Sequence, residues 1–199
     1  MTTIRRDIVG VVLAGGASRR MGGVAKATLH LDGETLAARA VRRLSTQVTD
    51  VLVNANDPGC EGLGAGVVAD AFPDRRGPLA GILAGMEWCR SRRSGASHLA
   101  SVAVDTPFFP DDLVGRLAAE TSGDRIALVE AGGRPQPTFG LWPVALADEL
   151  RSFLERDGSR KVLHFVDSVG GYDGVAFDEA AFENVNTPEE LEAARRRAA

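Results

Sequence analysis

The chain has 199 residues, 44% of them hydrophobic and 25% charged, and a formal charge of −4 from 23 basic and 27 acidic residues. That length suits one domain able to bury about 70% of its unfolded surface, so neither disulfides nor structural metals are needed for folding. The acidic balance excludes a broadly basic nucleic-acid binder but not a local phosphate site.

Short apolar runs alternate with helical patterns along the chain. Ile8–Ala14 is a continuous apolar run ending in Gly15-Gly16 and predicts a buried strand. Apolar residues at 36, 37, 40, 41 and 44 predict a helix. Val51–Val53 predicts a second strand ending at Asn54, and Gly66–Ala69 a third ending at Asp70. Leu79–Cys89 is expected to be helical with Leu79, Ile82, Leu83 and Met86 on one stripe. Leu99–Val104 predicts a fourth strand ending at Asp105, followed by a helix over 111–119 capped by Asp111 or Asp112. Runs at 126–129 and 138–142 flank Gly132-Gly133-Arg134-Pro135, which predicts a hairpin or a paired edge. Helices are expected over 144–154 and 161–166, then short strands over 175–177 and 182–185. Thr187-Pro188-Glu189-Glu190 opens the last helix as a capping box with proline at its first turn. Arg195-Arg196-Arg197 closes it as a solvated charge run suited to the negative end of the dipole.

Such alternation implies an α/β fold: a mostly parallel sheet with helices on both faces. Ligands of such sheets bind at the carboxyl ends of the strands. Four strand ends carry Gly15-Gly16, Asn54, Asp70 and Asp105, which should share one rim.

The stretch from Leu13 to Lys26 reads LAGGASRRMGGVAK. Glycines after a strand allow close backbone approach, and successive N–H groups there can cradle phosphate oxygens. Arg19, Arg20 and Lys26 add fixed positive charge. The stretch matches neither GxxxxGK[ST] nor GxGxxG. Only Lys26 and Lys161 are lysines among the 23 basic residues. A lysine inside this loop points to a need for a compact ammonium. Asp105 is either a Mg²⁺ ligand facing phosphates or a turn cap before Pro107. Asn54 and Asp70 are either turn residues or base and ribose contacts. In Asn184-Val185-Asn186 both amides can face one space, or Asn186 can cap the last helix.

LAGGASRRMGGVAK resembles the signature loop of nucleotidyltransferases, LAGGxSxRMGxxK. With Arg76–Ile82 (RGPLAGI), Val104–Pro107 (VDTP) and Asn184–Pro188 (NVNTP), in order and spacing, the chain resembles the molybdenum cofactor guanylyltransferases. The match runs from about Ile8 to the final helix. It implies a single-domain three-layer αβα sandwich, Rossmann-like, in the nucleotidyltransferase (glycosyltransferase-A-like) arrangement. Within 1–199, residues 1–110 would form the nucleotide-binding half and 111–199 the pterin-substrate half. The implied reaction joins GTP to molybdopterin or Mo-molybdopterin, giving the guanine dinucleotide and pyrophosphate. By the resemblance, Leu13, Ala14, Gly15 and Gly16 start the nucleotide-binding loop. Gly23, Lys26, Asn54 and Asp70 match further nucleotide positions or activity positions. Asp105 matches the residue for Mg²⁺ and nucleotide. Arg20, Lys26 and Asp105 are the expected catalytic residues, and Asn184 and Asn186 the expected substrate-binding residues. Family members often carry Asp just before the lysine, where this chain has Ala25.

Two rivals stay open on these residues. One is the same chemistry with another nucleotide or acceptor, a cytidylyltransferase or a sugar-phosphate nucleotidyltransferase. The other is a non-catalytic GTP-binding module. Gly132–Thr138, Arg156, Arg160 and Lys161 are candidate pterin contacts. Cys60 and Cys89 form no CxxC pair, and His30, His98 and His164 have no ligand spacing, so a reducing cytoplasm is expected. The start, Met1–Asp7, lacks the long apolar core of a signal peptide, and no apolar run approaches the roughly 20 residues of a membrane span. Neither a membrane nor nucleic acid is an expected partner. Transient contact with cofactor-synthesis or acceptor molybdoenzymes is.

Overall fold

A computed structural model describes residues 4–15, 25–56, 59–72, 77–92, 95–121, 123–156, 158 and 160–198. In chain order the elements are β1 (Arg5–Leu13), a hairpin of β2 (His30–Leu31) and β3 (Glu34–Thr35), α1 (Leu36–Ser45), β4 (Val48–Asn54) and β5 (Gly66–Val68). Then come α2 (Pro78–Arg92), β6 (His98–Ala103), α3 (Leu113–Glu120), β7 (Ile126–Ala131) and β8 (Arg134–Pro143). α4 (Ala147–Glu155), α5 (Val162–Ser168), β9 (Tyr172–Phe177) and α6 (Pro188–Ala198) complete the chain.

Among the described residues, seven strands form one sheet in the order β5-β4-β1-β6-β8-β7-β9. Every pairing is parallel except those of β8 with β6 and β7. β1 explains why its sequence is apolar without alternation. Val9, Val11 and Leu13 pack with α2, while Ile8 and Val12 pack on the opposite face with α1. Leu36, Leu44, Leu113 and Leu191 place α1, α3 and α6 on one side. Leu83, Leu150 and Phe165 place α2, α4 and α5 on the other. The expected three-layer αβα sandwich is the observed one. Among the described residues, no helix is long and apolar enough to cross a membrane.

The helices follow the sequence pattern with instructive exceptions. The stripe at 36, 37, 40, 41 and 44 is the buried face of α1, whose Ala38 N–H donates to Thr35 Oγ1 at 3.1 Å. α2 is buried beyond its expected stripe, because Ala80, Gly81, Ala84 and Gly85 are also buried. The expected aspartate cap of α3 is not formed. Asp112 makes no side-chain cap, and Asp111 pairs with Arg43 at 2.9 Å. Buried Gln47 takes over, accepting from Val114 N–H at 2.9 Å. The α6 capping box forms as expected: Glu190 N–H donates to Thr187 Oγ1 at 3.2 Å, and Thr187 N–H to Glu190 Oε2 at 3.0 Å.

Three further expectations are corrected. The Gly132-Gly133 hairpin exists, with both glycines at positive φ, but it is no edge: β8 lies between β6 and β7, and β9 pairs beyond. Residues 182–185 are not a strand. A 3₁₀ turn over Glu179–Phe182 drives Phe182 against Phe139 and Phe177, at ring distances of 5.0 and 5.6 Å. The closing arginines are partly engaged. Arg195 donates to His30 O, and Arg197 lies over the Phe108 ring at 4.3 Å. The β2–β3 hairpin, which the sequence reading did not anticipate, turns at Asp32-Gly33, whose φ angles of 51° and 79° close it.

Glu34 ties β3 to α1 through Arg42 at 2.8 Å and Arg39 at 2.9 Å. The Arg42 hydrogen bonds hold its carboxyl below the ordinary 4.5. A lowered folded value adds stability above the unfolded pKa and loses it as pH falls through the folded one. E34Q is expected to cost about 0.2–1 kcal/mol at pH 7. Urea unfolding should show that cost shrinking below pH 4.5; a pH-independent difference would exclude the ion pairs as its source.

Candidate active site

The strand ends do share a rim. Beyond β1, Ala14 N–H donates to Asn54 O at 2.9 Å, and Val104 N–H donates to Leu13 O at 3.2 Å. The parallel ladder therefore continues past all three strand ends and brings Leu13, Ala14, Gly15, Asn54 and Asp105 to one hollow of about 480 Å³. Asp70 reaches it from beyond β5, Lys26 from the loop after β1, and Asn184 from the segment before α6. Gly77 and Pro78 add the amino end of α2, so the positive end of that helix dipole borders the hollow. Gln136 and Thr138, from the expected pterin segment, line it too.

Lys26 is the junction of the site. Its Nζ donates to Asp105 Oδ2 at 2.7 Å and to Asn186 Oδ1 at 2.5 Å. Both side chains of the ion pair are 22% exposed, shielded but open to a ligand. Lys26 begins a 3₁₀ turn whose next residue, Ala27, is buried, which pins the base of the side chain. Ala25 makes no side-chain cap, so here the lysine is oriented from the opposite wall. Asn186 therefore does not cap α6; its amide oxygen holds Lys26.

The VDTP and NVNTP segments are stitched residue by residue. Val185 N–H donates to Asp105 O at 2.7 Å, and the Thr106 hydroxyl donates to Asn184 Oδ1 at 2.7 Å. Thr106 is fully buried, and sequence reasoning passed over it. A second hollow of about 330 Å³ lies between this segment, Phe108 and α6, and it shares Asn184 with the first.

Asp70 is held by amides. Asn54 Nδ2 donates to its Oδ1 at 3.0 Å, and Asn56 Nδ2 donates to its Oδ2 at 2.7 Å. Asn56 was missed from sequence, although Asn54-Ala55-Asn56 has the same spacing as Asn184-Val185-Asn186. Asn54 is 3% exposed because α2 passes directly over it. A Cβ on Gly81 would lie well inside 3.0 Å of Asn54 Oδ1 and 2.9 Å from Leu13 Cδ2. The glycine of PLAGI thus permits helix and strand end to touch. At Gly15 a Cβ would make ordinary contact, 3.4 Å from Asn54 Oδ1.

Gly16, Arg20 and Gly23, with Arg19, Gly22 and Arg76, lie outside the described residues. Arg156, Arg160 and Lys161 are exposed and line neither hollow. Among the described residues no three His, Cys, Asp or Glu side chains gather as a metal cluster.

Residues 10–169 match the family described as the MobA-like NTP transferase domain. The chain belongs to that family. A molybdenum cofactor guanylyltransferase of Cereibacter sphaeroides (strain ATCC 17029 / ATH 2.4.9) is 44% identical over 186 residues, covering 92% of this chain and 93% of that protein. One of Bradyrhizobium sp. (strain ORS 278) is 42% identical over 198 residues, covering 96% and 93%. The crystal structure of molybdopterin-guanine dinucleotide biosynthesis protein A from Archaeoglobus fulgidus superposes with a TM-score of 0.72 at 23% identity, covering 96% of this chain and 98% of that one. That likeness shows the shared fold. The resemblance read from the four motifs is borne out, and with it the expectation of a nucleotidyltransferase.

In this MobA-like transferase the Gly81–Asn54 contact should matter beyond packing. G81A is expected to cost about 1–3 kcal/mol in urea unfolding, the scale of overpacking, and to weaken nucleoside triphosphate binding as Asn54 shifts. In G85A the added Cβ meets only the Leu99 side chain, at 2.8 Å and away from the site residues, so stability should fall but binding should be spared. Equal nucleotide affinity in G81A and wild type would mean the contact does not shape the site.

Proposed function

We propose that this protein transfers GMP from GTP to the molybdenum cofactor, Mo-molybdopterin, releasing pyrophosphate. The observation that carries the reading is the Lys26 ammonium bridging Asp105 and Asn186 at the strand-end rim. The names of the relatives supply the substrates. Residues 1–110 serve as the nucleotide half and 111–199 as the acceptor half.

The nucleophile is an anionic phosphate oxygen of the pterin, so no strong base is required. It attacks the α-phosphorus of GTP, the bond to the β-phosphate breaks, and pyrophosphate leaves with the electron pair. Catalysis then rests on positioning and charge neutralisation. The backbone N–H groups of Gly15, Gly16 and Gly23 are assigned to the phosphates, while Leu13 and Ala14, with the Ala14 N–H committed to Asn54 O, border the nucleotide at the strand end. Lys26 and Arg20 take up charge developing at the α-phosphate and leaving group. Asn184 and Asn186 orient the acceptor, which enters through the second hollow.

The residues present fit a divalent ion bound with its nucleotide. Asp105 offers a carboxylate at the rim, and Mg²⁺ usually takes one or two carboxylates with phosphate oxygens and waters. Mg²⁺ held there supplies electrostatic stabilisation of the phosphates. For guanine, the N1–H and N2–H₂ donors need acceptors. The Asp70 carboxylate, at the wall of the hollow and able to face both donors at once, is the proposed reader. The proposed setting is the cytoplasm, in keeping with two buried cysteines that form no disulfide. Handover of the product to cofactor-synthesis or acceptor molybdoenzymes belongs to the same proposal.

With Mg²⁺ and molybdopterin, pyrophosphate release should be fastest with GTP across a panel of GTP, CTP, ATP and UTP. Fastest release with CTP would favour the cytidylyl rival, and GTP binding without release the non-catalytic one. K26A and D105N should each lower kcat/KM by about 10²–10³-fold, the effect of removing one transition-state charge partner. K26R should stay well below wild type, because a planar guanidinium cannot take the place of a compact ammonium between Asp105 and Asn186. Near-wild-type turnover in K26A would overturn the reading.

A further inference from the structure

We infer that Asn56 is a specificity-determining positioning residue, which fixes the plane of the Asp70 carboxylate for a 2-amino-6-oxopurine edge. The inference rests on the reading of Asp70 as guanine acceptor and deepens it. Asn56 grips Asp70 with both ends of its amide. Its Oδ1 accepts from the Asp70 backbone N–H at 2.9 Å, and its Nδ2 donates to Asp70 Oδ2 at 2.7 Å. The other carboxylate oxygen, Oδ1, accepts from Asn54 Nδ2 at 3.0 Å, and the same Nδ2 also donates to Val68 O at 3.3 Å.

Each carboxylate oxygen thus has one amide partner and keeps acceptor capacity. Two side-by-side donors such as N1–H and N2–H₂ are met well only by a carboxylate whose rotation is fixed. Asn54 restrains one oxygen; Asn56 restrains the other and anchors it to the backbone of the same residue. An asparagine serving only as a turn residue bonds backbone about two positions on. Asn56 instead reaches Asp70, 14 residues away. It is exposed at the wall of the hollow, so its loss leaves no deeply buried polar group without a partner.

The test is equilibrium titration of GTP and of ITP, which lacks the 2-amino group, into the full-length protein with Mg²⁺. Wild type should prefer GTP by roughly 10- to 100-fold, the worth of one hydrogen bond to a charged acceptor. In D70A the preference should vanish. In N56A it should fall by about fivefold or more, with ITP affinity nearly unchanged, since one of two restraints on a charge-assisted acceptor is gone. N56D keeps an acceptor for the Asp70 N–H but sets a carboxylate oxygen against Oδ2 where the amide donor stood, and like-charge repulsion should lower the preference at least as far as in N56A. Thermal unfolding of N56A should be close to wild type, since Asn56 is exposed. A preference retained in N56A or N56D while lost in D70A overturns the role of Asn56 alone. Equal weakening of GTP and ITP in N56A reduces Asn56 to structural support and also overturns it. A preference retained in D70A, or absent in wild type, removes the guanine assignment of Asp70 and the inference with it.

Discussion

One ammonium group holds the strand-end rim together. Lys26 lies 79 residues from Asp105 and 160 from Asn186, yet its Nζ bonds both. A lysine has three rotatable donors on a flexible stem, so it can bridge partners on two separate walls. The pair is largely shielded from water, where stranding one charge costs far more than at the surface. The contact draws the loop after β1, the end of β6 and the segment before α6 onto one point. On the proposed function, those are the places where the triphosphate and its acceptor meet.

Around that point the backbone does much of the work. Asp105 O and Thr106 Oγ1 engage Val185 and Asn184, so two short motifs from opposite halves form one wall. Opposite them, Gly81 lets α2 rest on Asn54, and the buried amide passes that order on to Asp70. Site geometry is thereby coupled to the packing of a core helix. The same device recurs away from the site, where a Cβ on Gly10 would meet Leu44 Cδ2 at 2.5 Å. Close approach of helix and sheet is how this small-residue-rich chain builds two cores.

The family likeness accounts for the parts and the packing for their placement. Relatives above 40% identity span nearly the whole chain. Asn56, Thr106 and Gln47 act through contacts that their local sequence does not announce. Gln47 caps a helix that begins 66 residues later. Thr106 sits beside a residue that drew all the attention, and Asn56 two residues beyond one that did.

The amino-acid sequence alone determined the three-layer architecture, because apolar strands that alternate with helices pack as a mostly parallel sheet covered on both faces. It determined most helices, the α6 capping box and the roll of strand-end residues, because these follow from local periodicity and short-range hydrogen bonds. Tertiary structure alone decided that β8 inserts between β6 and β7, since a hairpin pattern does not say which strand it will pair with. It also decided that residues 182–185 turn inward for Phe182 rather than extend, and that Asn186 serves Lys26 rather than α6. Each of those outcomes depends on partners dozens of residues away, where local propensity has no reach.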